Sequence, residues 1–197
     1  MSVLASKDGE IFSAFLPDCA MSHSVLLMET IDGVLKRANL RLDECDFFAA
    51  AVGAGSFTGI RIGISATKGF ALATGKPTLG VTSFDTLAYN AIDGAGKILC
   101  LINALHDCYY ACGYENGKVV YEPAFLTEAE VLELASQGFS LVAGGEIPVG
   151  EKASVKIVSP ILGLGKAVVA LSEKENAFGE LSALYVRKSS AEINLCK

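Results

Sequence analysis

The chain has 197 residues, 51% hydrophobic and 19% charged, with 16 basic side chains against 22 acidic ones and a formal net charge of −6. That apolar content excludes a disordered polymer, and the length allows one domain or two small ones with a substantial core. The longest basic cluster is Arg187-Lys188, so an autonomous grip on RNA, which calls for a basic face, is not expected. No run of roughly 18 residues is apolar throughout, so no membrane span is expected. Met1 to Glu10 carries early charges rather than an apolar secretory core, and a cytoplasmic location is the expectation.

Residues 2–5 and 11–15 read as two short strands joined by Lys7-Asp8-Gly9-Glu10, where Asp-Gly supplies the positive φ angles of a tight hairpin. A helix follows, opened by Ser22 or Ser24, with an apolar stripe of Val25, Met28, Ile31 and Leu35 widened by Leu27, Val34 and Ala38. The continuous apolar run 47–52 is predicted to be a strand covered on both faces. Directly after it comes Gly53-Ala54-Gly55-Ser56-Phe57-Thr58-Gly59, then a helix over 60–74 with Thr58 as its cap, Gly75 at its end and Pro77 beyond. A strand over 78–81 leads to a helix capped by Ser83. Strand, helix, strand, helix is the order of a crossover-connected sheet.

Asp93-Gly94-Ala95-Gly96 is the expected boundary between an N-terminal lobe, 1–94, and a C-terminal lobe, 95–197. Beyond it the pattern restarts. A strand over 98–102 precedes a hairpin of 108–114 and 119–121, and Thr127-Glu128-Ala129-Glu130 is a capping box opening a helix that ends near Gly138. Strands over 139–143 and 155–158 and a helix over 165–172 complete the second half. The six cysteines (19, 45, 100, 108, 112 and 196) form no CxxC pair, and two histidines are too few to join them, so they read as small buried hydrophobes.

The loop at 53–59 carries the most information. Strand, glycine-rich turn and helix N-terminus is the arrangement that presents backbone N–H groups to phosphate. A P-loop would close on Gly-Lys-Ser/Thr, but Gly59 is followed by Ile60; a dinucleotide fingerprint would read GxGxxG, but the spacing is GxGxxxG. Two readings stay open. Gly53, Gly55, Ser56, Thr58, Gly59 and Arg61 hold an anion, or the glycines let a strand turn tightly into a helix while Arg61 braces the loop. No catalytic residue, cofactor or metal site is assigned: no GxSxG elbow occurs, and neither histidine stands with a nucleophile.

Gly53-Ala54-Gly55-Ser56-Phe57-Thr58-Gly59-Ile60-Arg61-Ile62-Gly63 resembles the GPGSFTGLRIG signature of the TsaB (YeaZ) family, departing at Ala54 and Ile60. The likeness continues through Lys68-Gly69-Phe70-Ala71-Leu72 and Gly80-Val81-Thr82-Ser83-Phe84-Asp85-Thr86-Leu87-Ala88. His23-Ser24, Ile102-Asn103-Ala104, Tyr109-Tyr110-Ala111 and Leu184-Tyr185-Val186-Arg187 match more loosely, with Leu105 where the family has arginine.

The resemblance implies an α/β fold of the actin/sugar-kinase/Hsp70 (ASKHA) type, in two duplicated lobes of mixed sheets flanked by helices. The family's usual first strand, reading like ILAIDTS, is shortened or missing here. It also implies a non-catalytic scaffold that activates TsaD in threonylcarbamoyladenosine (t6A) modification of tRNA, joined by the ATPase TsaE, with tRNA touched only indirectly and a homodimer formed when alone. The partner surface would lie on the helices at 24–38 and 60–74, with Val25, Leu26, Met28, Ile31, Arg61, Ile64, Lys68 and Phe70. The catalytic paralogue carries HxxxH on a helix, whereas His23 is followed four residues later by Leu27, and His106 falls in a turn. A metallopeptidase-like or nucleotide-binding enzyme of the same superfamily is the alternative.

Overall fold

Asp8 and Gly9, at φ +52° and +81°, close the first hairpin in the left-handed region that such a turn requires. The computed structural model of the chain describes residues 1–16, 23–91, 96–150 and 153–187. Strand β1 (Ser2–Lys7) pairs with β2 (Glu10–Phe15) in unbroken antiparallel register from Ser2↔Phe15 to Lys7↔Glu10. Helix α1 (His23–Arg37) packs on this ribbon and buries Leu27 and Val34, with Ala38 buried just beyond its end. The buried stripe is therefore not the one expected: Val25 and Met28 are 74% and 50% exposed. Ser22 lies outside the described residues, and Ser24 falls inside the helix rather than at its cap. Arg37 donates to the Ser13 carbonyl at 2.6 Å and ties the end of α1 to β2.

Strands β3 (Phe48–Gly53) and β4 (Thr78–Thr82) form a second two-stranded sheet, linked by α2 (Phe57–Thr74). Ala50 and Val52 of β3 meet Ile60 and Ile64 of α2, and Leu181 of a returning segment closes that core. Phe48 packs on Phe70 and Phe47 on Phe178, with ring centroids 5.7 and 5.1 Å apart. The elements so far, with the returning segment, make up one compact unit: Met1–Val52, Thr58–Val81 and Val168–Ala183.

The second unit comprises Gly53–Phe57, Thr82–Ala167 and Leu184–Lys197, so the two units interleave along the chain. Its sheet contains β5 (Ile98–Asn103), β6 (Cys108–Glu115), β7 (Lys118–Thr127), β8 (Ser140–Ala143) and β9 (Val155–Ile157), in the order β7-β6-β5-β8-β9. The first three run antiparallel, and β8 and β9 join parallel. Because side chains alternate across a strand, Ile98 and Cys100 enter one core with Phe84, Leu87, Cys112 and Tyr114. Leu99 and Leu101 enter the other with Tyr109, Leu126, Val131 and Leu141.

Helices α3 (Ser83–Ala91), α4 (Glu128–Ser136) and α5 (Pro160–Ser172) are the remaining α-helices among the described residues. The cap of α3 is Thr82, not Ser83: its hydroxyl accepts from the Asp85 N–H at 3.0 Å, and the Asp85 carboxylate accepts from the Thr82 N–H at 2.8 Å. The same carboxylate receives the Tyr114 phenol at 2.9 Å, and burial, then the Asp85 charge, pushes that phenol far above its ordinary pKa. The capping box at Thr127 and Glu130 forms as its residues predict.

Helix α5 starts five residues earlier than the sequence pattern suggests. Pro160 occupies the first helical position, where its missing N–H costs nothing. Gly163 and Gly165 are buried inside the helix. A Cβ on Gly163 would sit 1.6 Å from the Thr86 carbonyl oxygen, so this glycine is what lets α5 lie against the backbone of α3.

Two expectations follow. Gly163→Ala forces the helices apart and costs about 1–3 kcal/mol or more, read as a lowered urea midpoint with the slope unchanged. The Glu130 carboxylate accepts from the Thr127 N–H and hydroxyl, which hold its pKa below the usual carboxylate range. Its contribution is present above the ordinary carboxylate pKa, about 4.3, and is lost as the pH falls through the depressed value. Glu130→Gln therefore narrows the gap in denaturation midpoint between about pH 7 and about pH 3.5.

Candidate functional site

The glycine-rich loop is shorter than its motif. Strand β3 runs to Gly53 and α2 starts at Phe57, leaving Ala54-Gly55-Ser56 as the turn. Gly55 holds φ +154°, a conformation that L side chains rarely adopt, although nothing lies within 4 Å of the position a Cβ would take. Ala54 is buried in the second unit's core. Phe57 stacks on Tyr185, centroids 4.9 Å apart. Ser56 and Thr58 are exposed; Thr58 lies within the first turn of α2, not at its cap, and Gly59 is an ordinary helical residue.

Beyond the loop, α2 turns one face inward and one outward. Ile60, Ile64 and Thr67 are buried; Arg61, Ser65, Lys68 and Leu72 are exposed, and their spacing of four, three and four puts them on one stripe. Leu72 is 89% exposed and was not singled out from the sequence, though it continues the spacing of Arg61 and Lys68 by one turn. Beside this stripe runs the segment Glu180-Leu181-Ser182-Ala183. Leu181 and Ala183 pack into the core, and Lys68 donates to Glu180 at 3.2 Å. Together they line a groove of about 560 Å³, walled by Arg61, Ser65, Lys68, Glu180 and Ser182 over a floor that includes Ile64.

The residues expected on a partner surface thus divide. Val25, Met28, Arg61 and Lys68 are exposed, and Leu26 and Ile31 are half-buried. Ile64 is buried in the core at 9% exposure, and Phe70 packs on Phe48, so these two serve the unit's own packing. His23 is the first residue of α1, and Leu27, four positions on, is buried. His106 is exposed in the β5–β6 turn at φ +53°. Among the described residues no three His, Cys, Asp or Glu side chains come together in a way that would hold a metal ion, and no helix is long and apolar enough to cross a membrane.

The model of the TsaD family, described as tRNA N6-adenosine threonylcarbamoyltransferase, matches residues 14–193. The chain belongs to this family. Within it the likeness runs to the TsaB/YeaZ members. The tRNA threonylcarbamoyladenosine biosynthesis protein TsaB of Escherichia coli K12 is 32% identical over 119 residues, covering 59% of this chain and 51% of that one. TsaB of Bacillus subtilis 168 is 25% identical over the same length, covering 59% and 52%. A tRNA N6-adenosine threonylcarbamoyltransferase of Rhizobium leguminosarum is 39% identical over 72 residues, covering 36% of this chain and 20% of that one. The chain spans about half the length of the TsaB relatives it matches. Among solved structures, YeaZ from Pseudomonas aeruginosa shares the fold with a TM-score of 0.70 at 24% identity, covering 93% of each chain. A second, titled an uncharacterized protein with similarity to peptidase YEAZ from Pseudomonas aeruginosa, gives 0.75 at 24%, covering 94% of each. The architecture is therefore the α/β fold that these structures share.

The loop geometry makes a testable distinction between its residues. Gly55→Ala places a Cβ on a backbone angle made for glycine and costs about 1–2 kcal/mol. Thr58→Ala, in an exposed first turn, shifts stability by less than about 0.5 kcal/mol. Thermal melts of the two variants beside the parent chain measure both.

Proposed function

We propose that this chain is an accessory subunit of the machinery that forms threonylcarbamoyladenosine in tRNA, without catalysis of its own, and that it works by docking on a TsaD-type catalytic subunit. The observation that carries this reading is the exposed apolar side of the first unit's helices. Val25 and Met28 on α1 and Leu72 on α2 are 74%, 50% and 89% exposed, although each helix already buries a full stripe in its own unit. Large apolar side chains held out of the core at helical spacing suit a second protein surface. Family membership and the names of the TsaB relatives, tRNA threonylcarbamoyladenosine biosynthesis proteins, support the pathway.

The opposite reading, an enzyme of the same superfamily, requires chemistry that the described residues do not assemble. The Cys100 and Cys112 thiols are buried and pushed well above their ordinary pKa, by burial first, and so are poor nucleophiles. A net charge of −6 fits contact with tRNA only through a complex. A TsaE-type ATPase joins the assembly, no cofactor is bound by this subunit alone, and in the absence of a partner the same helical faces close a homodimer in the cytoplasm.

Co-expression with a TsaD-type subunit, followed by gel filtration and mass-spectrometric nucleoside analysis of tRNA, tests this. The expected result is a stable complex that modifies tRNA, with neither subunit competent alone; turnover by the isolated chain overturns it. Val25→Glu and Met28→Glu weaken the complex at least about tenfold, since each buries a charge in an apolar contact. Without the partner, both variants are monomers by light scattering.

A further inference from the structure

The first unit holds two two-stranded sheets, β1-β2 and β3-β4, and their outer edges are not alike. Met1 and Leu16 exchange both N–H···O=C bonds, at 2.8 and 2.9 Å, which fixes the direction of every backbone group in the first ribbon. Val3, Ala5 and Lys7 aim theirs at β2, and Ser2, Leu4 and Ser6 aim theirs away from it. On the far side of the same ribbon Ser13 points outward, and there its carbonyl accepts from Arg37. In the second sheet the Phe48 N–H donates to the Pro77 carbonyl at 3.0 Å, so Phe48, Ala50 and Val52 face β4 while Ala49 and Ala51 face away. The outer edge of β4 is closed at Thr78, whose carbonyl accepts from the Gly179 N–H at 3.0 Å and whose hydroxyl donates to the Gly179 carbonyl. The edges of β2 and β4 are thus engaged. The backbone groups of Ser2, Leu4, Ser6, Ala49 and Ala51 have no hydrogen-bond partner among the described residues.

These two open edges are also bare. A free edge is ordinarily blunted by charge, proline or a bulge. Strand β7, at an edge of the second unit's sheet, has all three: Lys118 and Glu122, Pro123, and register breaks between Ala111 and Gly113 and between Gly113 and Tyr114. From Ser2 to Ser6 β1 has none of them, and β3 carries neither charge nor proline. An apolar roof stands beside the β1 edge as well. Met28 and Arg37 are nine residues apart on α1, about two and a half turns. With Arg37 bound at the outer side of β2, Met28 overhangs the β1 side, and it is 50% exposed.

We propose that the first unit is a strand acceptor: an extended segment of a partner chain lies between β1 and β3, bonds to both open edges and joins the two ribbons in one sheet. The engaged edges belong to β2 and β4, which leaves β1 and β3 as the sides on which the ribbons can be joined. An extended backbone alone offers alternating donors and acceptors to two rows at once, the mode of recognition by strand addition. The neighbours dictate its side chains. Beside Ser2, Leu4, Ser6, Ala49 and Ala51 they are uncharged and small, and they are apolar on both faces, as those of β3 are. About five residues match the length of the β1 edge.

Hydrogen exchange on the full chain, read residue by residue, is the test. In the parent, the Leu4, Ser6, Ala49 and Ala51 amides are expected to exchange at least about tenfold faster than those of Val3, Ala5 and Ala50. The probe is the strand TVAVAVT, fused ahead of Met1 through a short Gly-Ser linker that keeps it at about millimolar effective concentration. It is expected to slow all four amides together by about tenfold or more and to raise the melting temperature. The same fusion carrying TPAPAPT, whose prolines cannot donate to a ladder, leaves the four amides as in the parent. Slowing at Leu4 and Ser6 without Ala49 and Ala51, or none at all in a folded TVAVAVT fusion, overturns the proposal. Slow exchange of all four in the parent overturns it too. Protection independent of chain concentration assigns the edges to a cover from within the chain, and protection that grows with concentration assigns them to a second copy.

Discussion

Strand β5 is the constraint on which the second unit is built. From Ile98 to Leu101 each side chain is no more than 2% exposed, alternately to the two faces of the sheet. A strand covered on both sides permits no register slip, because a shift by one residue would exchange its two sets of partners. The cysteine at position 100 faces Cys112 across the antiparallel pair, while Leu101 faces Ala111. Small and large residues thus meet in a fixed order. The parallel partner β8 repeats that order on the other edge, with Leu99 beside Leu141 and Cys100 beside Val142. Against one face lies α3, held at its start by the Thr82–Asp85 box and the Tyr114 phenol. Against α3 in turn lies α5, at the spacing that Gly163 allows.

Much of this was legible in the residues, wherever local chemistry had a single outcome. Asp8-Gly9 can hardly do other than turn, and Thr127-Glu128-Ala129-Glu130 makes both halves of its capping box. The strand over 98–102 announces itself as an unbroken apolar run. What the sequence concealed was decided at a distance. Gly163 is a poor helix former, and only the Thr86 carbonyl beside it shows why a glycine stands inside α5 at that position. Thr82, Ser83 and Asp85 offer two possible caps for α3, and Tyr114, far along the chain, favours the arrangement centred on Asp85. On α1 two apolar stripes compete, and the ribbon of β1 and β2 selects Leu27, Val34 and Ala38. That choice leaves Val25 and Met28 outside.

The same division holds at the candidate site. The glycine loop was visible as a motif, but which of its glycines hold positive φ, Gly53 and Gly55, was not. Arg61 and Lys68 were identified as surface cations on this helix. Their neighbours Glu180 and Ser182 could not be found by spacing, since they arrive from a segment more than a hundred positions away. Nothing in the composition of 180–183 sets it apart from an ordinary polar linker until Leu181 is seen to anchor it.

The sulfur atoms of the chain give the fold a built-in reporter. Cys100 and Cys112 are buried side by side in the core, and burial drives both thiols upward, Cys112 to about 12. Cys45 and Cys108 sit only half-covered. An alkylating reagent reacts with the thiolate, so the outer pair is modified while the structure is closed. The central pair reacts only in molecules whose sheet has opened between β5 and β6. The rate at which those two sulfurs are lost to the reagent is then a clock for the deepest opening motion of the protein.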